Sequence, residues 1–119
     1  WVVDDQPMWL SAKPDPVLSV PYSVELNDIP LHAIQHHASD ELCRRGTAQL
    51  ERLWQEGAAN PRVMAVSVHP YITGVPHRIA YFEVLLDTIQ KMPEVAIMTG
   101  GEIADWYREQ VPYEGSGGA

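Results

Sequence analysis

The sequence contains a single cysteine, and this scarcity excludes two ways of stabilising a small domain. Cys43 has no second cysteine with which to form an intrachain disulfide, and it cannot build a cysteine-based zinc site. A chain without disulfides is compatible with a reducing compartment. We therefore expect a cytoplasmic location.

Basic residues are also scarce, because eight lysines and arginines stand against sixteen aspartates and glutamates, with a formal net charge of −8 at pH 7. Nucleic acids and anionic membrane surfaces attract clusters of Lys and Arg, and the sequence has no such cluster. Its apolar runs are far shorter than the roughly 20 residues that cross a bilayer. We expect a soluble protein that binds neither nucleic acid nor membrane.

Apolar residues make up 45% of the 119 positions, which is enough for one hydrophobic core. A domain of this length buries about two-thirds of the surface that its unfolded chain exposes. The hydrophobic periodicity predicts the order strand, strand, helix, strand, helix, strand, helix, which is typical of an α/β fold with right-handed crossovers. The predicted strands are 1–10 (broken at Pro7), 17–26, 62–68 and 95–98, and the predicted helices are 39–57, 76–92 and 100–110.

The stretch from Val63 to Arg78 carries the strongest functional signal. Residues 63–68 form a nearly continuous apolar run, which predicts a strand that is buried on both faces. His69 follows at the carboxyl end of this strand, the edge where parallel α/β folds collect ligands and catalytic side chains. A histidine beside a proline is also common in turns, so its position alone leaves a structural role open.

Polar side chains also mark the ends of the first two predicted strands. Asp4 and Asp5 point to opposite faces of a strand, so at most one of them aims into a shared pocket, and both are also ordinary turn residues. Glu25 and Asn27 share a face two positions apart. Asp28, with Asn27, is predicted to launch the turn that follows.

Three histidines, His32, His36 and His37, follow this turn. His32 and His36 are four positions apart and would share a helical face, as two zinc ligands do. No carboxylate or cysteine stands at a convincing third position nearby. A loop or short helix with solvated histidines is therefore the preferred interpretation.

Five segments carry a family resemblance, and they span nearly the whole chain. HPYITGVPHR, at 69–78, looks like the C-terminal histidine motif of the polysaccharide deacetylase (NodB-homology) family. The resemblance is to the branch that includes the cofactor-independent allantoinases and related amide hydrolases. The other segments are DDQPMWL at 4–10, VPYSVELNDIP at 20–30, EGAANPRVM at 56–64 and TGGEIADWY at 99–107.

The resemblance implies a fold and a boundary. Residues 1–119 would form the C-terminal half of a deformed (β/α) barrel of the polysaccharide-deacetylase type, with 114–119 as a flexible tail. The family's early Asp-Asp motif and paired-histidine motif do not occur in the chain, which also begins without Met. We therefore expect it to be the C-terminal part of a longer protein, and a homo-oligomer in its full-length form.

The resemblance also implies an activity, the hydrolysis of non-peptide carbon-nitrogen bonds in a small-molecule amide or an N-acetylated sugar. His69 would act as the acid and oxyanion stabiliser, and Asp4 or Asp5 would orient His69 or another pocket residue. No cofactor is expected in this chain, and a divalent metal such as zinc would bind only through the missing half. The alternative is an inactive fragment or a binding or scaffold module. The expected substrate-binding residues are Glu25, Asn27, Trp9 and Tyr71.

Overall fold

A hairpin and three helices make up the part of the chain that the computed structural model describes, residues 4–114. Strands β1 (Met8–Leu10) and β2 (Val17–Ser19) pair antiparallel, and a six-residue π-helical turn (Ile29–Ile34) follows them. Helices α1 (Glu41–Gly57), α2 (Pro76–Lys91) and α3 (Gly100–Gln110) complete the order. The predicted strand start at 1–3 and the predicted tail beyond Glu114 lie outside the described residues.

Both hairpin strands depart from the prediction. Residues 4–6, where the sequence predicts a strand that breaks at Pro7, form none, and β1 begins only after Pro7, which has no N–H to donate to a ladder. β2 ends at Ser19, shortly before Pro21, and the chain then turns, with the Asn27 N–H donating to the Val24 carbonyl at 3.3 Å. The predicted strand 17–26 is therefore wrong in its second half.

The segment 62–68 runs beside residues 23–28 instead of forming a fully paired central strand. Ser67 donates its N–H to the Leu26 carbonyl at 2.9 Å and accepts the Asp28 N–H at 3.1 Å, which makes one parallel bridge. Farther back, the Ser23 hydroxyl donates to the Ala65 carbonyl at 2.6 Å. The segment is half-buried, so the prediction of a strand buried on both faces is wrong. The parallel course nevertheless brings Asp28 next to the residue after Val68.

The core lies between α1, α2 and the turn that precedes α1. Its buried members are Leu26, Leu31, Leu42 and Leu85, with partly buried side chains packed around them. Helices α1 and α2 approach closely where Gly46 faces Leu85, since a Cβ at position 46 would lie 2.8 Å from both Leu85 methyl carbons. The absence of a side chain at this position lets Leu85 occupy the interface.

The sequence predicts the helices well. α3 begins with the expected capping box, in which Thr99 Oγ1 accepts the Glu102 N–H at 3.3 Å and Glu102 Oε2 accepts the Thr99 N–H at 2.7 Å. The hydrogen bond from the Thr99 backbone, followed by that from its hydroxyl, holds the pKa of Glu102 below its ordinary value. α2 carries Pro76 in its first turn, where a missing N–H costs nothing.

The predicted strand at 95–98 does not form. Ile97 is 69% exposed, and none of the segments within residues 4–114 pairs with this stretch. An apolar run becomes a strand only where another backbone offers a ladder. Within the same residues, none of the helices combines the length and the apolar character needed to cross a membrane.

Candidate functional site

The candidate site is built on a buried carboxylate, Asp28, that binds His69. Asp28 is 0% exposed, and its Oδ1 lies 2.7 Å from Nδ1 of the His69 ring. Its Oδ2 accepts two hydrogen bonds at 2.6 Å, one from the His69 backbone N–H and one from the Thr73 hydroxyl. Both oxygens of the carboxylate are therefore engaged by the turn that carries His69.

That turn is fixed by hydrogen bonds of its own. The backbone N–H groups of Ile72 and Thr73 both donate to the His69 carbonyl, at 3.0 and 2.9 Å. From α2, the Arg78 guanidinium donates to the Ile72 carbonyl at 3.0 Å. Gly74 closes the turn, because a Cβ there would lie only 2.5 Å from the Pro70 carbonyl oxygen. The His69 backbone is thus held in place before any substrate arrives.

The environment of Asp28 keeps it ionised. Burial by itself raises the pKa of this carboxyl, but the hydrogen bonds from the Thr73 hydroxyl, the His69 N–H and the His69 ring outweigh burial and lower it. A carboxylate has no proton to donate, so the short contact with the ring requires a proton on His69 Nδ1. The other ring nitrogen, Nε2, is then free to accept a proton or to release one.

The His69 ring is partly open to solvent. Its side chain is 35% exposed, whereas its carboxylate partner is fully buried. The ring of Tyr71, an exposed side chain on the same turn, lies 5.7 Å away between centroids and is tilted by 59°. A partly exposed histidine that is anchored through one ring nitrogen has the geometry of a general acid or base.

Asp4 and Asp5 lie at the opposite end of the 62–68 segment. The Asp5 carbonyl accepts the Val63 N–H at 2.7 Å, and Val63 precedes His69 by six residues, up to about 20 Å of extended chain. The Asp5 carboxylate lies 3.6 Å from Arg62. Burial, and then the contact with Asp4, raise the pKa of Asp5 against the lowering effect of Arg62. The carboxylate that orients His69 is therefore Asp28 instead of Asp4 or Asp5.

An open cleft of about 330 Å³ lies at this opposite end. Glu25 is on its wall with Asp4 and Asp5, and Glu25 Oε1 accepts a hydrogen bond from Gln49 Nε2 at 3.4 Å. His69 does not line this cleft. The structure thus divides the predicted site residues between two places, and the substrate-binding role of Glu25 stays a prediction.

Asn27 and Trp9 are engaged in structural contacts. Asn27 Oδ1 accepts the Ile29 N–H at 3.0 Å and its Nδ2 donates to the Tyr22 hydroxyl at 2.9 Å, so Asn27 forms the turn that the sequence assigned also to Asp28. Trp9 Nε1 donates to the Val111 carbonyl at 2.7 Å. Substrate contacts by these two residues stay predictions, and the turn-launching role predicted for the Asp28 side chain is wrong.

The histidines that follow Asp28 do not form a metal centre. His32 is buried, contrary to the prediction of a solvated residue, and its Nδ1 lies 3.4 Å from the His37 carbonyl. His37 Nε2 contacts the side chains of Gln35 and Arg45. In the described part of the chain, none of the groupings of His, Cys, Asp and Glu reaches three potential ligands. These residues therefore do not fit a zinc ion by themselves.

The ionised state of Asp28 predicts a pH dependence of stability. Because its pKa is lower in the folded state, its stabilisation is complete above the unfolded-state value of about 3.9 and is lost as the pH falls towards the folded-state value. We expect Asp28→Asn to flatten the decrease in unfolding free energy below about pH 4. Urea unfolding between pH 3 and pH 7 measures this, with Asp87→Asn on the exposed face of α2 as the control. Parallel curves for wild type and Asp28→Asn would contradict the assignment.

The chain is similar in sequence to a protein of Schizosaccharomyces pombe that is named as a polysaccharide deacetylase. The two are 28% identical over 122 residues, which cover 93% of this chain and 38% of the relative. No protein-family model matches the chain. The chain therefore spans about two-fifths of the curated relative that it matches.

Two solved structures share the fold of the chain. Puue allantoinase superposes with a TM-score of 0.87 at 23% identity, over 94% of this chain and 38% of the allantoinase. A protein of Pseudomonas aeruginosa PAO1 named as a polysaccharide deacetylase superposes with a TM-score of 0.86 at 24% identity, over 95% of this chain and 39% of its own. The matched regions are the C-terminal parts of those chains. The resemblance to polysaccharide deacetylases and allantoinases is confirmed, and the fold is that of a part of these proteins.

Proposed function

We propose that this protein is a hydrolase of the polysaccharide deacetylase and allantoinase type, and that it cleaves carbon-nitrogen bonds other than peptide bonds. The similarity to relatives with these names supports the class of reaction. The observation that carries the role of this chain is the partly exposed His69 ring, which is anchored through Nδ1 to a buried, ionised carboxylate.

The chemistry of amide hydrolysis requires three contributions. A water molecule must be activated, the negative charge on the tetrahedral oxygen must be stabilised, and the departing nitrogen must receive a proton. Protonated His69 meets the last two needs from Nε2, since a charged imidazole stabilises an adjacent oxyanion and then releases its proton to nitrogen. Asp28 keeps the ring oriented and holds the proton on Nδ1.

We assign the activation of the water to groups other than His69 and Asp28. Asp4 and Asp5 lie at the far end of the 62–68 segment, and the described residues offer no group of three metal ligands. A divalent metal, where one is used, would supply a Lewis acid and an activated water, and its ligands would come from outside residues 4–114. No step assigned to His69 depends on it.

The substrate class that fits the site is a small amide or an N-acetylated sugar. The exposed Tyr71 ring stands beside His69, which favours a flat or ring-shaped substrate that packs against an aromatic face. The amide carbon of the bound substrate would then lie over the exposed edge of the imidazole. Both allantoin and an N-acetylated oligosaccharide meet this description.

A chimera tests the proposal. The chain is assayed alone and in Puue allantoinase in which it replaces the matching segment, with allantoin and an N-acetylated chitooligosaccharide as substrates. We expect hydrolysis of at least one substrate by the chimera and none by the chain alone. A chimera that unfolds cooperatively and binds either substrate without hydrolysing it would favour the alternative, a binding module, and would contradict the proposed activity.

A further inference from the structure

We infer that Thr73 is a positioning residue for His69, acting through Asp28; this inference rests on the proposed function. The Thr73 side chain is buried, and its hydroxyl lies 2.6 Å from Asp28 Oδ2. Because the ionised carboxylate only accepts hydrogen bonds, the Thr73 hydroxyl must donate its proton to it. The three side chains therefore form a chain of hydroxyl, carboxylate and imidazole.

The Thr73 hydroxyl helps to fix the orientation of the Asp28 carboxylate, whose two oxygens bind different donors. Oδ1 serves the His69 ring, while Oδ2 holds the His69 backbone N–H and the Thr73 hydroxyl. With two donors on Oδ2, rotation of the carboxylate would break both of them at once. Without the hydroxyl, only the backbone N–H would remain on Oδ2, and the plane of the carboxylate would be less well fixed against the ring.

The order of the groups excludes a nucleophilic role for Thr73. In a serine-histidine-aspartate triad the attacking hydroxyl donates to the imidazole, and the carboxylate lies on the other side of the ring. Here the hydroxyl donates to the carboxylate, and Thr73 is buried whereas the His69 side chain is partly exposed. The Thr73 hydroxyl therefore lacks the partner and the exposure of an attacking nucleophile.

The backbone of Thr73 is prepared for this role by the turn itself. Its N–H donates to the His69 carbonyl at 2.9 Å, so the same five-residue turn carries both the imidazole and the hydroxyl. The contact from Arg78 to the Ile72 carbonyl holds the turn from α2. The side chain at position 73 is thus placed next to Asp28 by the turn. Valine has nearly the same shape as threonine, so a Thr73→Val protein differs at this contact by the lost hydroxyl.

The test compares Thr73→Val, which keeps the shape and removes the hydroxyl, with Thr73→Ser, which keeps the hydroxyl. Thr88→Val on α2 is the matched control, since the Thr88 hydroxyl donates only to the Val84 carbonyl one helical turn away. The first readout is nitrogen-15 NMR of His69 in the 119-residue chain, which reports the hydrogen-bonded Nδ1 proton and the tautomer. The second is kcat and KM of the chimera.

We expect Thr73→Val to weaken the Nδ1 proton signal and to lower kcat about three- to thirty-fold at unchanged KM, which is part of the effect of one hydrogen bond to a charged group because the hydroxyl acts on the ring through Asp28. Thr73→Ser should restore both, and Thr88→Val should change neither. A wild-type NMR signal and kcat in Thr73→Val would overturn the inference, as would a Thr73→Ser protein that behaves like Thr73→Val. Should Thr73→Val fail to fold, Thr73→Ala replaces it under the same criteria. An inactive chimera with the expected NMR changes would contradict the proposed function alone.

Discussion

Replacing His69 by alanine in the chimera is expected to lower kcat by about 10²- to 10⁴-fold with little change in KM. The reason is that, in the proposed mechanism, the lost interaction belongs to the transition state, in which the imidazole stabilises the oxyanion and protonates the departing nitrogen. The substrate in its ground state carries no oxyanion and needs no proton, so its binding does not depend on the ring. Steady-state kinetics at a pH near neutrality measures both constants.

The control for this experiment is His77→Ala. His77 is exposed at the start of α2, and the described residues give its ring no hydrogen bond. Its removal should leave kcat near the wild-type value. The melting curve of each variant belongs beside the kinetics, because His69→Ala also leaves a buried oxygen of Asp28 without its partner, a loss of about 1–3 kcal/mol. More than a third of the wild-type kcat in folded His69→Ala would contradict the assignment.

Replacing Leu85 by alanine should reduce the free energy of unfolding by about 2–5 kcal/mol. Leu85 is 0% exposed and packs in the centre of the core, against Leu42 on α1 and below the position that Gly46 leaves open. Truncation of this side chain removes buried apolar surface and leaves a cavity between the two helices. Since a domain of this size has only about 5–15 kcal/mol of stability, the loss is a large fraction of the total.

Leu86→Ala provides the comparison within the same helix. Leu86 is 39% exposed, so the same chemical change should cost well under half of what it costs at Leu85. Urea unfolding of both variants at one pH gives the two differences. Equal losses, or a loss below about half a kcal/mol at Leu85, would show that the packing of α1 on α2 is misassigned.

The parts of the fold that follow from local sequence are those that the sequence predicts. The three helices, the capping box of Thr99 and Glu102, and the turn after His69 depend on residues within a few positions of one another. The strands depend on a partner that the sequence does not reveal. The apolar run at 95–98 therefore reads as a strand and yet has none of its hydrogen bonds within the described residues.

The candidate site also has one residue that local sequence predicts and one that depends on a distant segment. His69 is predictable, because it stands at the end of an apolar run and before a turn. Asp28 is not, since the pair Asn27-Asp28 before Pro30 is also the signature of a simple turn, and only one of the two residues forms that turn. The family resemblance instead implies Asp4 or Asp5 as the residue that orients the histidine. Only the parallel course of 23–28 and 62–68 decides between them.

The contact between Asp28 and His69 joins two residues that are 41 positions apart, with the whole of α1 in between. Closing such a loop costs chain entropy, which local structure alone does not repay. In an unfolded chain His69 therefore lacks its contact with Asp28. The ring becomes oriented only when the loop that contains α1 has closed. The orientation of the His69 ring is thus a product of tertiary folding, and it forms only when residues 23–28 and 62–68 come together.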